Sequence, residues 1–403
     1  MEENAKRLLI LGAPVFQIPI VKKAKEMGLF VGIVDIDSNA PAFPYADQSF
    51  VCSIKDKDAV LQVAREFKPD GIVIGACDTP VVTGAYLCSA LGLPGNSVEA
   101  AVNSTDKLKM IEAFARSDVA HPQFQKVSKN DIEGFSLSIP YPVISKPVDS
   151  SGGRGISIIH DDSELKEALL FSSQAGNSGD ILIEEYMRGR EVSVEVLVVE
   201  GKPHIIQITD KITSGEPHFF EIGHSQPSTL PEDTKERIRE LAAKAVLAVG
   251  LYNSPAHVEI MLTEQGPKMV ELGARLGSDC ITTYLTDHSV SGVCMAQAAI
   301  ELALGITPDV QHYGDSGLCV GVRFIPAEEG VLAGVEGLDE AESTDDLIQL
   351  AITGKIGRHY AAAVDDSARF GYAVCTGQTA EAALSQCERA IGKLRFLMDQ
   401  PGC

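Results

Sequence analysis

His257-Val258-Glu259-Ile260-Met261-Leu262 and Pro267-Lys268-Met269-Val270-Glu271-Leu272 stand on either side of the short turn Glu264-Gln265-Gly266. A three-residue connection ending in glycine is a common β-hairpin turn. Folding the segment about Gln265 sets Glu259 opposite Glu271, unless a bulge slips the register by one place. On that register Val258, Ile260, Leu262, Val270 and Leu272 form the buried face. Glu259 and Glu271 share the other, with Cβ atoms about 5 Å apart. Like charges directly opposite are unfavourable unless something neutralises them. A hard divalent cation does so, and Mg2+ needs only one or two protein carboxylates when phosphates complete its shell. Arg275, of the same parity beyond Gly273, adds an anion clamp beside such a cation.

Upstream, the strand-like run Val143–Pro147 leads into Asp149-Ser150-Ser151-Gly152-Gly153-Arg154-Gly155, and a second strand, Ile156–Ile159, follows. Glycines let backbone N–H groups converge on an anion, and serine hydroxyls add donors. Because a strand follows, the loop is neither a Walker loop nor a Rossmann turn, both of which open a helix. The bland alternative is a flexible hairpin. Lys146, at the end of an otherwise apolar strand, favours a phosphate loop, since its ammonium stands beside the loop it would serve. Further on, Ile181-Leu182-Ile183-Glu184-Glu185-Tyr186-Met187 ends a strand in acidic groups. Such an end can accept from an exocyclic amine while the next backbone reads a ring edge and Met187 packs its face. Glu191 opens the next strand, where it could accept from ribose hydroxyls; that strand alternates Val192, Val194, Val196 and Val198 against Glu191, Ser193, Glu195 and Leu197.

The first hundred residues read differently. Leu8–Gly12, Phe30–Asp35, Phe50–Ser53 and Gly71–Gly75 are short apolar strands separated by helical segments at Pro19–Met27, Asp56–Phe67 and Pro80–Leu91. That order indicates βαβ crossovers and a parallel sheet. From about Thr105 a helix runs to Arg116, after which strands cluster in the manner of an α+β region. Ile238, Leu241, Ala242, Ala245 and Val249 mark a helix ended by Gly250, and Thr379 is a plausible N-cap for a last helix reaching Leu397. Three regions follow: 1–103, 104–310 and 311–403.

Of 403 residues, 45% are hydrophobic and 22% charged, and the net charge is −22. The composition is that of a folded protein, and the acidity argues against attraction to nucleic acid or anionic membrane. No run approaches a membrane span, the polar Met1–Arg7 shows no signal peptide, and nine scattered cysteines without a CxxC pair read as reduced thiols in a cytoplasmic protein.

Together these segments resemble the ATP-grasp superfamily of carboxylate–amine ligases. Lys107, in Thr105-Asp106-Lys107, is similar to its first phosphate-binding lysine, Lys146 to its second, and the stretch containing Ser150, Ser151, Gly152 and Gly153 to its glycine-rich flap. Glu184, Glu185, Tyr186 and Met187 resemble the adenine hinge, with Glu191 at the ribose position. Glu259 and Glu271 match the metal carboxylates, and Arg275 the arginine at the acyl-phosphate. The resemblance implies an α/β and α+β molecule: an ATP-grasp fold with an N-terminal βαβ pre-ATP-grasp domain, a lid at about 117–190 and a small C-terminal domain. It implies ATP and Mg2+ (or Mn2+), and a substrate carboxylate phosphorylated and passed to an amine. Lys211, His218 and His224 lie where relatives hold acyl-acceptor contacts. Two positions depart from the pattern: Met110 replaces a basic residue, and the usual Glu-x-Asn-x-Arg reads Glu271-Leu272-Gly273-Ala274-Arg275. Gly273 offers no amide oxygen, which leaves a second metal to weaker or water-mediated binding.

An amino-acid-type substrate is the leaning within this class. Phosphoribosylamine–glycine ligase and carbamoyl-phosphate-synthase or biotin-carboxylase-like activities are the alternatives, and a homodimer stays open. From other classes come a non-catalytic ATP-binding sensor and a nicotinamide-dependent oxidoreductase. The latter fits poorly, because Gly12-Ala13-Pro14-Val15-Phe16-Gln17 has one glycine where the dinucleotide fingerprint needs three.

Overall fold

The structure, a computed structural model, describes residues 5–150, 153–215, 220–365 and 368–399. By compactness the chain divides into two units, each assembled from separated segments. The first takes Met1–Ile206, Glu232–Ser278 and Cys294–Val310; the second takes Gln207–Pro231, Asp279–Val293 and Gln311–Cys403.

The first unit opens with a parallel sheet of β1 (Arg7–Leu11), β2 (Phe30–Asp35), β3 (Gln48–Val51) and β4 (Gly71–Ile74), in the order β3-β2-β1-β4. The crossovers are α1 (Ile18–Glu26) and α2 (Lys57–Phe67). Asp56 caps α2 by accepting from the Ala59 N–H, and Lys68 closes it in the left-handed region. Leu9, Leu11, Val34, Ala64 and Phe67 pack into one core between sheet and helix, as continuous apolar strands require. After α3 (Val81–Leu91) and α4 (Val98–Asn103), α5 (Lys107–Arg116) starts at an Asp106 cap.

A second sheet follows, of β5 (Phe124–Val127), β6 (Val143–Pro147), β7 (Ser157–Ile159) and β8 (Ile181–Glu185), ordered β5-β8-β6-β7 and antiparallel throughout. Helix α6 (Asp162–Ala175), which the strand-rich expectation for this stretch passed over, packs on it through Leu165, Ala168 and Leu169. Ser172 of α6 donates to the Gly155 carbonyl at 2.7 Å and lies 2.9 Å from the Ser145 hydroxyl, so helix, loop end and β6 are tied together.

β9 (Arg190–Val199) turns into β10 (Lys202–Thr213) through Glu200 and Gly201, both with positive φ. β10 begins in the first unit and ends in the second, where β11 (Glu221–Gln226) lies antiparallel to it. Helix α7 (Glu232–Ala248) buries Ile238, Leu241, Ala242 and Ala245, as its spacing predicts. β12 (Ser254–Thr263) pairs with β9 on one side and with β13 (Gly266–Gly273) on the other. Both faces of β9 are buried, including Ser193 and Glu195, so its alternation separates two interior faces.

The second unit holds β14 (Val290–Ser291) and β15 (Gly314–Asp315), then β16 (Cys319–Pro326), β17 (Gly330–Glu336), β18 (Leu347–Ile352), β19 (His359–Tyr360), β20 (Arg369–Gly377) and β21 (Arg395–Asp399). β11, β16, β20 and β18 are neighbours in that order, and β17 lies between β19 and β21. The last helix is shorter than expected. Thr379 does cap it, accepting from the Ala382 N–H, but it ends at Ile391 before Gly392, and residues 395–399 form β21 instead.

Candidate functional site

Glu259 stands opposite Glu271 across β12 and β13. The register then slips beyond Glu259, so that Ile260 pairs with Met269. One extra residue on β13 turns its remaining side chains over. Met269 is therefore fully buried and Val270 only half-buried, which reverses the expectation for Val270; Leu262 is half-buried too.

The two carboxylates are neutralised by cations of the chain itself. Lys107, at the start of α5, places its ammonium against Glu271 Oε2. Burial opposes charge on Lys107, but Glu271, Asp78 and Glu259 outweigh it and hold the ammonium above its usual range. His257, two residues from Glu259 on the same face of β12, lies with Nε2 3.4 Å from Glu259 Oε1. Its Nδ1 is 2.5 Å from Glu195 Oε1, on the neighbouring strand, and Glu195 also accepts from the Gly277 N–H. Burial works against the imidazolium; Glu195 and Glu259 reverse that and lift the pKa to about 9. Arg275 donates from Nε to Asp78 Oδ1 at 2.9 Å and from Nη2 to Oδ2 at 3.3 Å. Burial pushes the Asp78 carboxyl up, yet Arg275 and Lys107 hold it below its usual range. Asp78, Lys107, Ser150, Glu259, Glu271 and Arg275 line one cleft of the first unit.

Lys146, on β6, is buried against Glu184 of β8 at 2.6 Å. Glu185 accepts from Lys268 through both carboxylate oxygens at 3.0 Å and from the Gln123 N–H at 3.2 Å. Burial raises the Glu185 carboxyl, but these contacts bring it below the ordinary value. The Tyr186 N–H donates to the Pro142 carbonyl, Met187 is half-buried, and Glu191 is half-buried on β9 opposite Met261. Gly153 has φ +71°, with open space where a Cβ would stand. Ser151, Gly152 and His218 lie outside the described residues.

In the second unit Lys211 pairs across the ladder with His224. Both meet Glu221: Lys211 Nζ at 2.8 Å and His224 Nε2 at 3.1 Å. His224 is fully buried, edge-on to Phe324. Arg369 stacks over Phe324 at 3.8 Å, bridges to Asp279 at 2.6 Å and donates to the Glu221 carbonyl at 3.1 Å.

Sequence reasoning missed Asp78, Glu195, His257, Glu221 and Arg369. His257 had a local signal, its parity with Glu259, and Glu195 was already on the polar side of its strand. Asp78 and Arg369 carry none, because their partners are remote in the chain; Asp78 sits 197 positions from Arg275.

Residues 139–283 match the model of the ATP-grasp domain, and residues 323–399 that of L-amino acid ligase C-terminal domain 2. This chain carries an ATP-grasp domain. Several proteins resemble it over much of its length. Formate-dependent phosphoribosylglycinamide formyltransferase of Sulfolobus acidocaldarius is 26% identical over 324 residues, covering 77% of this chain and 79% of that one. Carnosine synthase 1 of Gallus gallus is 25% identical over 372 residues, 83% of this chain but 40% of the longer relative, so the chain spans less than half of it. An L-amino acid ligase from Bacillus licheniformis superposes with a TM-score of 0.85 at 22% identity, over 99% of this chain and 100% of that one.

The ATP-grasp site can be tested against Mg2+-nucleotide by its donor set. The Ser150 hydroxyl is buried and finds no hydrogen-bond partner among the described residues, which leaves a donor for an incoming oxygen. No group of three or more His, Cys, Asp or Glu among those residues forms a complete metal cage. Two facing carboxylates with ammonium and guanidinium groups beside them suit a cation that brings its own phosphate ligands. The residues fit. No described helix is long and apolar enough to cross a membrane.

Proposed function

We propose that this protein is a ligase that activates a small-molecule carboxylate of amino-acid type and joins it to an amine. The facing pair Glu259 and Glu271, with Lys107 and Arg275 in the same cleft, is the observation that carries the reading. Bound ATP would supply the γ-phosphate that turns the carboxylate into an acyl-phosphate, and Mg2+ (or Mn2+) would offset the phosphate charge.

Lys107 and Lys146 would hold the phosphates, with Ser150, Ser151, Gly152 and Gly153 closing over them. Glu184, Glu185, Tyr186 and Met187 would hold the adenine, Glu191 the ribose, and Glu259 and Glu271 the metal. Arg275 takes the role of fixed positive charge at the reacting carboxylate, where a preorganised donor lowers the barrier most. Lys211 and His224, held by Glu221, are the candidates for handling the acyl acceptor. No covalent nucleophile is required, because positioning and charge neutralisation suffice for phosphoryl transfer.

The amino-acid leaning draws on the match of residues 323–399 and the likeness to an L-amino acid ligase. A second reading, a purine-type substrate, draws on the phosphoribosylglycinamide formyltransferase relative. Screening ADP release across amino-acid pairs, phosphoribosylamine analogues, glycinamide ribonucleotide with formate, and bicarbonate separates them. ADP release only with the ribonucleotide would overturn the amino-acid reading, and none with any carboxylate would overturn the ligase assignment of the site. A homodimer belongs to the same proposal, and sedimentation equilibrium tests it.

A further inference from the structure

Position 273 carries glycine between Glu271 and Arg275, and space rather than backbone conformation requires it. Its φ is not among the positive values that favour glycine. A Cβ there would stand 2.7 Å from Asp78 Oδ1 and 3.0 Å from Arg275 Nε, closer than a side-chain carbon ordinarily comes to either. The carboxylate of Asp78, from the loop after β4, fills the room that a side chain at 273 would take.

That carboxylate grips one edge of the Arg275 guanidinium through Nε and Nη2, and Nη1 donates to the Leu276 carbonyl at 3.1 Å. A guanidinium has five N–H groups in a rigid plane. The contacts engage three of them and fix the plane, so the direction of the two terminal N–H groups is set as well. We propose that Asp78 is the positioning residue of Arg275, and that Gly273 is small so that Asp78 can reach it. The proposal rests on the reading of Arg275 as the anion clamp. Without Asp78 the guanidinium would carry less opposed charge but no fixed direction. A bidentate contact to a planar or tetrahedral anion depends on direction, while Lys107 already supplies a point charge in the same cleft.

Inorganic phosphate tests this on the full chain without knowledge of the substrate. Melting curves with Mg2+·ADP, then with phosphate added, give a nucleotide increment and a phosphate increment. Asp78→Ala should keep the nucleotide increment and weaken phosphate binding by about tenfold or more, through loss of preorganisation. Asp78→Asn, which retains an acceptor for Nε, should fall between it and wild type. Gly273→Ala should lose the phosphate increment in the wild-type background and add a smaller loss in Asp78→Ala, where the closer of the two groups its Cβ meets is gone and only the 3.0 Å approach to Arg275 Nε is left. Phosphate binding in Asp78→Ala equal to or tighter than wild type would overturn the proposal alone, leaving Asp78 a competing counter-ion. An equal loss from Gly273→Ala in both backgrounds would also overturn it. A wild type that responds to Mg2+·ADP but not to phosphate would remove the anion-clamp reading of Arg275, and the proposal with it.

Discussion

Lys146 and Glu184 are both buried, 2.6 Å apart, on adjacent strands. Removing one member of such a pair strands the other charge, which costs about 3–5 kcal/mol. Lys146→Ala should therefore lower stability by that order as well as raise the KM for ATP. Lys146→Met with Glu184→Leu should recover most of the stability and none of the activity, and urea melts beside ADP-release assays check both. Glu271 presents the opposite case. Two facing carboxylates suggest stored repulsion in the metal-free fold, yet Lys107 sits on Glu271 and His257 beside Glu259. Glu271→Gln should accordingly destabilise the metal-free protein by about 1–2 kcal/mol, a lost charge-assisted hydrogen bond, rather than relieve it. It should also abolish the additional thermal stabilisation that Mg2+ gives with ATP. Unchanged Mg2+ dependence in this variant would refute the metal role of the pair.

The sheet β5-β8-β6-β7 depends on one glycine. Gly155 has φ +77°, and a Cβ there would stand 2.4 Å from the Ala175 Cβ at the end of α6 and 2.8 Å from Pro147 Cγ. Left-handed strain and overpacking together predict a loss of about 2–4 kcal/mol for Gly155→Ala. The loss should be local: hydrogen exchange should quicken in β6, β7 and α6 and stay unchanged in β1–β4. At this scale the sequence was legible where the signal was local. The β12–β13 turn set its own register as far as Glu259, and Thr379 marked a helix start by its side chain. The bulge was hidden because Met269 and Val270 are both apolar, so either could face inward. Helix α6 was hidden for a related reason. Asp161 caps it, but its core positions are interleaved with the apolar Leu170 and Phe171, which blur the helical period. The pairs Asp78–Arg275 and Glu195–His257 join distant segments, and nothing in either segment names its partner.

With a net charge of −22, the molecule must hold its acidic groups against one another, and Glu221 shows how. Burial alone would raise its pKa, but Lys211 and His224 outweigh burial and hold the carboxyl well below the usual range. A depressed folded-state value means that the stabilisation is complete above the unfolded value near 4.5 and is lost as pH falls through the lower, folded one. The stability gap between wild type and Glu221→Gln should thus be flat near neutrality and narrow below about pH 4.5. Denaturant titrations at several pH values measure it, and a gap independent of pH would contradict the pairing. Strand β10 constrains the order in which the units can fold during synthesis. Because it is shared between the units, and because residues 232–278 and 294–310 return to the first, no early length of nascent chain contains either unit whole. The parallel sheet can form as it leaves the ribosome, whereas the strands bearing Glu259 and Glu271 must wait for residues made much later than Lys107 and Lys146. A chain of residues 311–403 expressed alone lacks β10 and β11 and should show no cooperative melt; a sharp transition would mean that it folds without them. For an enzyme that would spend ATP, this timing has a use: the proposed nucleotide site cannot be completed before the strand bearing Glu271 has been made.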